Sequence, residues 1–432
     1  MNIKSYLEKI KNEERRNVEF LHLTANEDQM SKTARMFLGS KIDERYLFSG
    51  AENEIVEVGT FTGLGFEGVE ELINTAKEAA KEMLFAVDVN LNMLSGVHAM
   101  MCSILSTTDP GDIVMTVPLE YGGHFATQGI IERIGRKHIF ADYDFDNLRF
   151  DTEKIGKKFK EQKIKALYLD VSYYLNPHNL REIRKAIGNK PIIIYDASHT
   201  MGLIMGQQFQ SPLKEGANII SANTHKTLPG PHKGMLAFRD KELANKANEI
   251  IDSSLYSTTH ITHLIALATT ILEMKEFGKD FAKQIITNSN AMAKAFVELG
   301  YDVRKANTGR YSENHQVHVF IDNRGDHMLL YRNLIKNNIS TNFQGSELSC
   351  GRWFIRIGTA EVTRRGMKEK EMIQIANLMD RAMRGENVKS KIIRLNYQFP
   401  EIYYSFDQHP KIQQQSSNWF TKIYKKTGLS FV

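Results

Sequence analysis

Lys226 lies in the run Ser221-Ala222-Asn223-Thr224-His225-Lys226-Thr227-Leu228-Pro229-Gly230-Pro231, between hydroxyl residues and a histidine and ahead of a Gly/Pro turn. An ε-amine used for covalent chemistry must be partly desolvated and held still. A lysine in a rigid turn at a strand end meets both conditions. A solvated turn lysine is the competing reading of this residue taken alone. About one strand–helix–strand unit earlier, Ile192-Ile193-Ile194-Tyr195-Asp196-Ala197-Ser198-His199 puts an acid at the end of an apolar run. A carboxylate there is costly unless a cation or donor faces it. Both residues can reach the same sheet edge.

An acid that keeps a pyridine nitrogen protonated, facing an amine that forms a Schiff base, points to pyridoxal phosphate; a capping aspartate is the alternative for Asp196. The phosphate needs N–H groups and hydroxyls at a helix start, which Leu94-Ser95-Gly96-Val97-His98-Ala99 supplies at the opening of a helical run through Ile104. In Glu120-Tyr121-Gly122-Gly123-His124 a flexible glycine pair would let His124 or Tyr121 lie flat on a planar ring; a satisfied loop histidine competes. Arg356 falls inside the apolar run Phe354 to Ile357. A guanidinium buried there needs an anion, either a substrate carboxylate gripped bidentately or a structural acid.

These residues need a scaffold that brings strand ends together. Short β-branched or aromatic runs at Ala86 to Val89, Ile113 to Thr116, His138 to Phe140, Ala166 to Asp170, Ile192 to Asp196, Asn218 to Ser221 and Met235 to Phe238 alternate with helical stretches. Continuous apolar strands separated by helices predict a three-layer α/β domain with a mostly parallel sheet. Ligands then gather at the carboxyl strand ends. Residues 1–48 form an N-terminal helical segment, led by an amphipathic helix from Ile3 to Glu19. Residues 49–284 make the large domain, and 285–432 a smaller α/β domain ending in an aromatic, basic tail. The length of 432 residues fits this plan. Cys102 and Cys350 are the only cysteines and no metal-ligand spacing occurs, so no metal site and a cytoplasmic setting are expected. No run reaches the length of a membrane span. The net charge of +5 is modest and fits an anionic ligand or nothing at all; the tail from Lys411 to Lys426 reads as a packed extension, with contact to RNA or a partner in a non-catalytic binding protein as the less favoured alternative.

Taken together, Tyr195-Asp196-Ala197-Ser198-His199, Thr224-His225-Lys226-Thr227-Leu228 with Gly230-Pro231, Gly122-Gly123-His124, and Arg356-Ile357-Gly358-Thr359 with Thr363-Arg364-Arg365-Gly366 resemble the serine hydroxymethyltransferase family over nearly the whole chain. The resemblance implies a fold-type I pyridoxal-phosphate transferase with a seven-stranded sheet in its large domain. By it, Lys226 is the Schiff-base lysine, Asp196 the pyridinium partner, His124 the stacking histidine, and His199 lies over the cofactor and substrate. Ser95 and Gly96 meet the phosphate, and Ser172 and His225 belong to the cofactor site. Arg356 takes the amino-acid carboxylate with Asn26 nearby, and Thr224 is a hydroxyl beside the lysine. Tyr46 matches a tyrosine lent by a neighbouring subunit, which implies a homodimer with shared sites.

The chain also departs from the family. Tyr46-Leu47-Phe48-Ser49 replaces Tyr-x-Glu-Gly, and a benzyl group cannot transfer a proton. Tyr256-Ser257-Thr258-Thr259-His260 replaces a Gly-rich phosphate segment, offering hydroxyl donors instead of backbone ones. Val97 replaces a serine, Asn26 another, His232 an arginine, and Thr341-Asn342-Phe343-Gln344 stands at a folate-contact region. These changes gather on the folate and substrate side. The expected activity is Cα–Cβ cleavage or formation on a glycine, serine or threonine type of amino acid with a small aldehyde, without tetrahydrofolate. Folate-dependent hydroxymethyl transfer is the alternative, and transamination or decarboxylation a second.

Overall fold

The computed structural model describes residues 2–47, 55–58, 61–345 and 351–408; the departure at Phe48, Cys350 and the basic tail lie outside them. The main sheet is built from β1 (Asp88–Asn90), β2 (Ile113–Thr116), β3 (Lys137–Phe140), β4 (Ile164–Leu169), β5 (Ile192–Asp196), β6 (Ile219–Asn223) and β7 (Gly234–Phe238). Their spatial order is β1-β7-β6-β5-β4-β2-β3, seven strands as the resemblance implied. The pairs β5–β6, β2–β3 and β2–β4 run parallel, and β7 is antiparallel to both β6 and β1. The reason is visible in composition: Ile193, Ile194 and Tyr195 are wholly buried, and strands covered on both faces read as continuous apolar runs.

The chain divides into two compact units, one comprising Met1–Glu27, Pro110–Pro191 and Lys283–Glu401, the other Asp28–Asp109, Ile192–Ala282 and Ile402–Val432. In the second unit, helix Gly96–Leu105 packs on β6 and β7, and helix Lys241–Ser254 on β7 and β1. A long helix extends over Ile261–Glu298.

The first unit holds a separate antiparallel sheet of β8 (Gln316–Phe320), β9 (Asn342–Gln344) and β10 (Phe354–Gly358), in the order β8-β10-β9. Val317, Val319, Ile355 and Ile357 join Phe296, Ile375 and Met379 in its core. Leu21–His22 pairs in parallel with Ile339–Ser340, bringing the chain just before Asn26 beside this sheet.

Candidate active site

In the second unit, β5 and β6 are parallel neighbours with Asp196 opposite Ser221, so Asp196 sits at the carboxyl end of the sheet. Its Oδ1 accepts the Ser198 N–H at 2.8 Å, and the Ser198 hydroxyl accepts the Asn223 N–H at 3.0 Å. The turn after β6 carries Lys226, whose Nζ lies 3.2 Å from His199 Nε2. Oriented with its oxygen towards the amine, the Asn223 amide accepts from Lys226 Nζ at 3.2 Å and donates to the Ser198 carbonyl at 3.3 Å. That turn is rigid, as the sequence requires of a covalent lysine. The Thr224 hydroxyl donates to the Pro231 carbonyl at 2.6 Å and accepts the Lys233 N–H at 3.1 Å. Thr227 donates to the His199 carbonyl at 2.9 Å and accepts the Gly202 N–H at 3.1 Å. At Gly202 a Cβ would stand 1.9 Å from the Thr227 carbonyl oxygen, so only glycine allows this approach. The sequence reading named Thr224 but missed Thr227.

Ser95 caps helix Gly96–Leu105, its hydroxyl accepting the His98 N–H at 3.1 Å. The N–H groups of Gly96 and Val97, in the first turn, meet no acceptor among the described residues. A Cβ on Gly96 would fall 2.8 Å from the Asn223 Cβ, so the helix start abuts the end of β6 closely. A helix N-terminus with open N–H groups fits a phosphate. His225 stacks on His232 at 3.9 Å, and burial with the neighbouring His232 and Lys226 pushes its imidazole down to about 3. Lys233, missed in the sequence, is 1% exposed and donates to the Thr259 carbonyl at 2.8 Å; burial pushes its amine down to about 7. The Thr259 hydroxyl is buried without a partner among the described residues. Tyr46 is exposed on this unit.

In the first unit, the His124 N–H donates to Asp170 Oδ2 at 3.2 Å, and its ring lies against Phe125. The glycine pair before it is a constraint rather than the source of flexibility expected. Gly122 has φ +94°, and a Cβ on Gly123 would stand 2.1 Å from the Val117 carbonyl oxygen. Ser172 is fixed through its backbone. Its N–H donates to the Gly122 carbonyl at 2.7 Å, and its carbonyl accepts from Gln316 at 3.0 Å and Arg356 Nη1 at 3.2 Å.

Arg356 projects from β10. Its Nη2 donates to Asn342 Oδ1 at 3.1 Å, Tyr173 lies beneath the guanidinium at 5.2 Å, and Nε has no partner among the described residues. Burial pushes it down to about 10, and no described carboxylate pairs with it. The structural ion pair weighed from sequence is therefore absent among the described residues. Asn26 Oδ1 is likewise buried without a partner among the described residues. No group of three metal-ligating side chains occurs among the described residues.

A lysine on a rigid turn beside an acid-tipped strand, with an anion-ready helix start, is the donor set of a pyridoxal-phosphate enzyme on an α/β sheet. The family model described as "Serine hydroxymethyltransferase" matches residues 3–379, and the chain belongs to that family. The serine hydroxymethyltransferase of Methanobrevibacter smithii is 33% identical over 412 residues, covering 90% of this chain and 92% of that one. The fluorothreonine transaldolase of Streptantibioticus cattleyicolor is 31% identical over 379 residues, covering 86% of this chain and 58% of that one. Among solved structures, L-threonine transaldolase from Pseudomonas fluorescens matches with TM-score 0.86 and 28% identity, over 94% of both chains. The protein is a fold-type I pyridoxal-phosphate-dependent enzyme of the transferase and aldolase kind. No described helix is long and apolar enough to cross a membrane.

Proposed function

We propose that the protein makes or breaks the Cα–Cβ bond of a β-hydroxy-α-amino acid as a tetrahydrofolate-independent aldolase or transaldolase, with a small aldehyde as leaving group or acceptor. The observation that carries the amino-acid reading is Arg356, a buried cation with an open Nε and no carboxylate facing it among the described residues. The two transaldolase relatives support transfer rather than folate chemistry. So do Phe48 in the sequence and Gln344, whose Oε1 accepts the Tyr173 hydroxyl at 2.7 Å and is thereby engaged within the protein.

The cofactor, when bound, supplies an electron sink for the bond broken at Cα. Asp196 would hold the proton of its ring nitrogen, and Lys226 is the amine that carries it. Ser95 and the N–H groups of Gly96 and Val97 would hold the phosphate. His124 would stack on the ring, with Ser172 and His225 beside it. His199, 3.2 Å from Lys226 Nζ, is placed to pass a proton to and from that amine. Arg356 grips the substrate carboxylate with Asn26 nearby, and so fixes which Cα bond is poised to break. Thr224 acts by holding the lysine turn. Tyr46, 63% exposed, is the residue we expect to enter a partner's site in a homodimer.

Spectral titration of the holoenzyme with glycine, serine and threonine, with and without tetrahydrofolate, tests the proposal. Retro-aldol turnover of threonine indifferent to folate is expected. Folate-dependent rates or a folate-induced spectrum of the glycine complex would establish hydroxymethyl transfer instead, the reading that the 33% identical serine hydroxymethyltransferase favours.

A further inference from the structure

Arg356 and Asn342 face each other across the β9–β10 pairing, directly opposite in register. The Asn342 carbonyl oxygen accepts two N–H groups at once, from Arg356 Nη2 at 3.1 Å and from the Ala25 backbone at 3.0 Å. Two donors on one oxygen settle which end of the amide is which. The same side chain thus ties the guanidinium to the segment that continues into Asn26. On the far side of the guanidinium, the Ser172 carbonyl holds Nη1. The cross-strand neighbour of Arg356 on β8 is His318, whose imidazole is held well below its ordinary range, chiefly by burial. Arg356 is therefore located by two neutral oxygens, and Asn342 supplies the one that comes from a side chain.

A carboxylate at that place would locate the arginine equally well but would neutralise it. An amide oxygen orients a guanidinium without cancelling its charge, leaving the cation for a ligand. We infer that Asn342 is a positioning residue for amino-acid recognition, holding Arg356 towards the substrate carboxylate while keeping it electrostatically unpaired. This inference rests on the reading of Arg356 as the carboxylate grip.

The test compares glycine with glycinamide, which keeps the amine and size but lacks the carboxylate, by spectral titration of the holoenzyme in wild type, Asn342→Ala, Asn342→Asp and Arg356→Ala. Asn342→Ala is expected to weaken glycine about tenfold, the loss of one hydrogen bond to a charged group. Asn342→Asp, which keeps both contacts but supplies an internal counter-ion, is expected to weaken it further, about a hundredfold. Glycinamide should change less than about threefold in either, and cofactor absorbance should be retained. An aspartate variant that binds glycine as wild type does would overturn the inference, as would equal losses for both ligands, the mark of a purely structural role. If Arg356→Ala keeps the wild-type preference for glycine over glycinamide, the carboxylate-grip reading falls and the inference with it. A loss of discrimination in Arg356→Ala but not in the Asn342 variants removes the inference alone.

Discussion

Replacing Arg356 by methionine should move affinity and stability in opposite senses. Burial pushes the guanidinium down from its ordinary range to about 10. At 1.36 kcal/mol per unit the folded protein carries a penalty of about 3 kcal/mol at neutral pH for keeping it charged. Two neutral oxygens, at 3.2 and 3.1 Å, offset part of this, and Nε remains open. Methionine is apolar, flexible and near in volume, so Arg356→Met removes the penalty at the cost of two hydrogen bonds. The stability change should lie between neutral and about 2 kcal/mol stabilising, as with other buried charges replaced by apolar side chains. Affinity for glycine should meanwhile fall by about 3 kcal/mol, more than a hundredfold, since a bidentate charge-assisted pair is lost. Denaturant melts of the cofactor-free protein give the first quantity, and spectral titration of the holoenzyme the second. A variant that melts several kcal/mol lower while binding glycine normally would refute the reasoning and restore a structural role for Arg356.

Lys226→Ala should abolish the near-visible absorption band of the purified protein; a band like the wild type's that persists in the variant after exhaustive dialysis into cofactor-free buffer would exclude Lys226 as the covalent amine. Lys233→Met should exceed the wild type in stability most below about pH 7. There both folded and unfolded wild type carry the proton on a side chain titrating near 10.5 unfolded and about 7 folded. Between those values only the unfolded state holds it, so wild-type stability climbs and the variant's advantage should shrink by about 1.4 kcal/mol per pH unit. A pH-independent difference in denaturation midpoints would contradict this. Gly123→Ala puts a methyl 2.1 Å from the Val117 carbonyl oxygen and 2.8 Å from its carbon, both backbone atoms unable to swing aside. The loop carrying His124 must shift, so cofactor affinity should fall at least tenfold with a displaced absorbance maximum, and wild-type values would show that His124 is not held there.

Most of the main sheet was legible because strands buried on both faces leave unbroken apolar runs. Ile113–Thr116 and Ile192–Asp196 coincide with the runs read from composition, and the remaining edges move by a residue or two. Helix Ile3–Glu19 was equally plain from its Lys and Glu spacing. What stayed hidden depends on contacts between segments distant in sequence. Asn342–Gln344 is a strand of three residues, too short and polar to show a period, yet it places Asn342 opposite Arg356. Lys233 follows the expected turn but is buried, against the ordinary preference of lysine for water. Gly122-Gly123 reads as flexible, and only the nearness of Val117 and Tyr173 shows it to be a tight fit. The interleaving of the two compact units leaves no trace in composition.

One physical pattern connects these hidden residues. Polar side chains of types able to do chemistry themselves are instead committed to holding the groups that do. Thr224 and Thr227 spend their hydroxyls on the turn around Lys226, Ser95 caps the helix start, and Asn342 and the Ser172 carbonyl hold Arg356. None of these holders brings a negative charge. In the second unit, burial is the main cause that pushes His98, His263 and His225 down, with Lys233 adding to the first two and His232 and Lys226 to the third. A buried cation left uncancelled, as Arg356 is, is costly to fold empty and is relieved by an anion. A phosphate and an α-carboxylate are the two anions that an amino-acid-transforming pyridoxal-phosphate enzyme must bind, so the strain left in the free protein becomes binding energy when cofactor and substrate arrive.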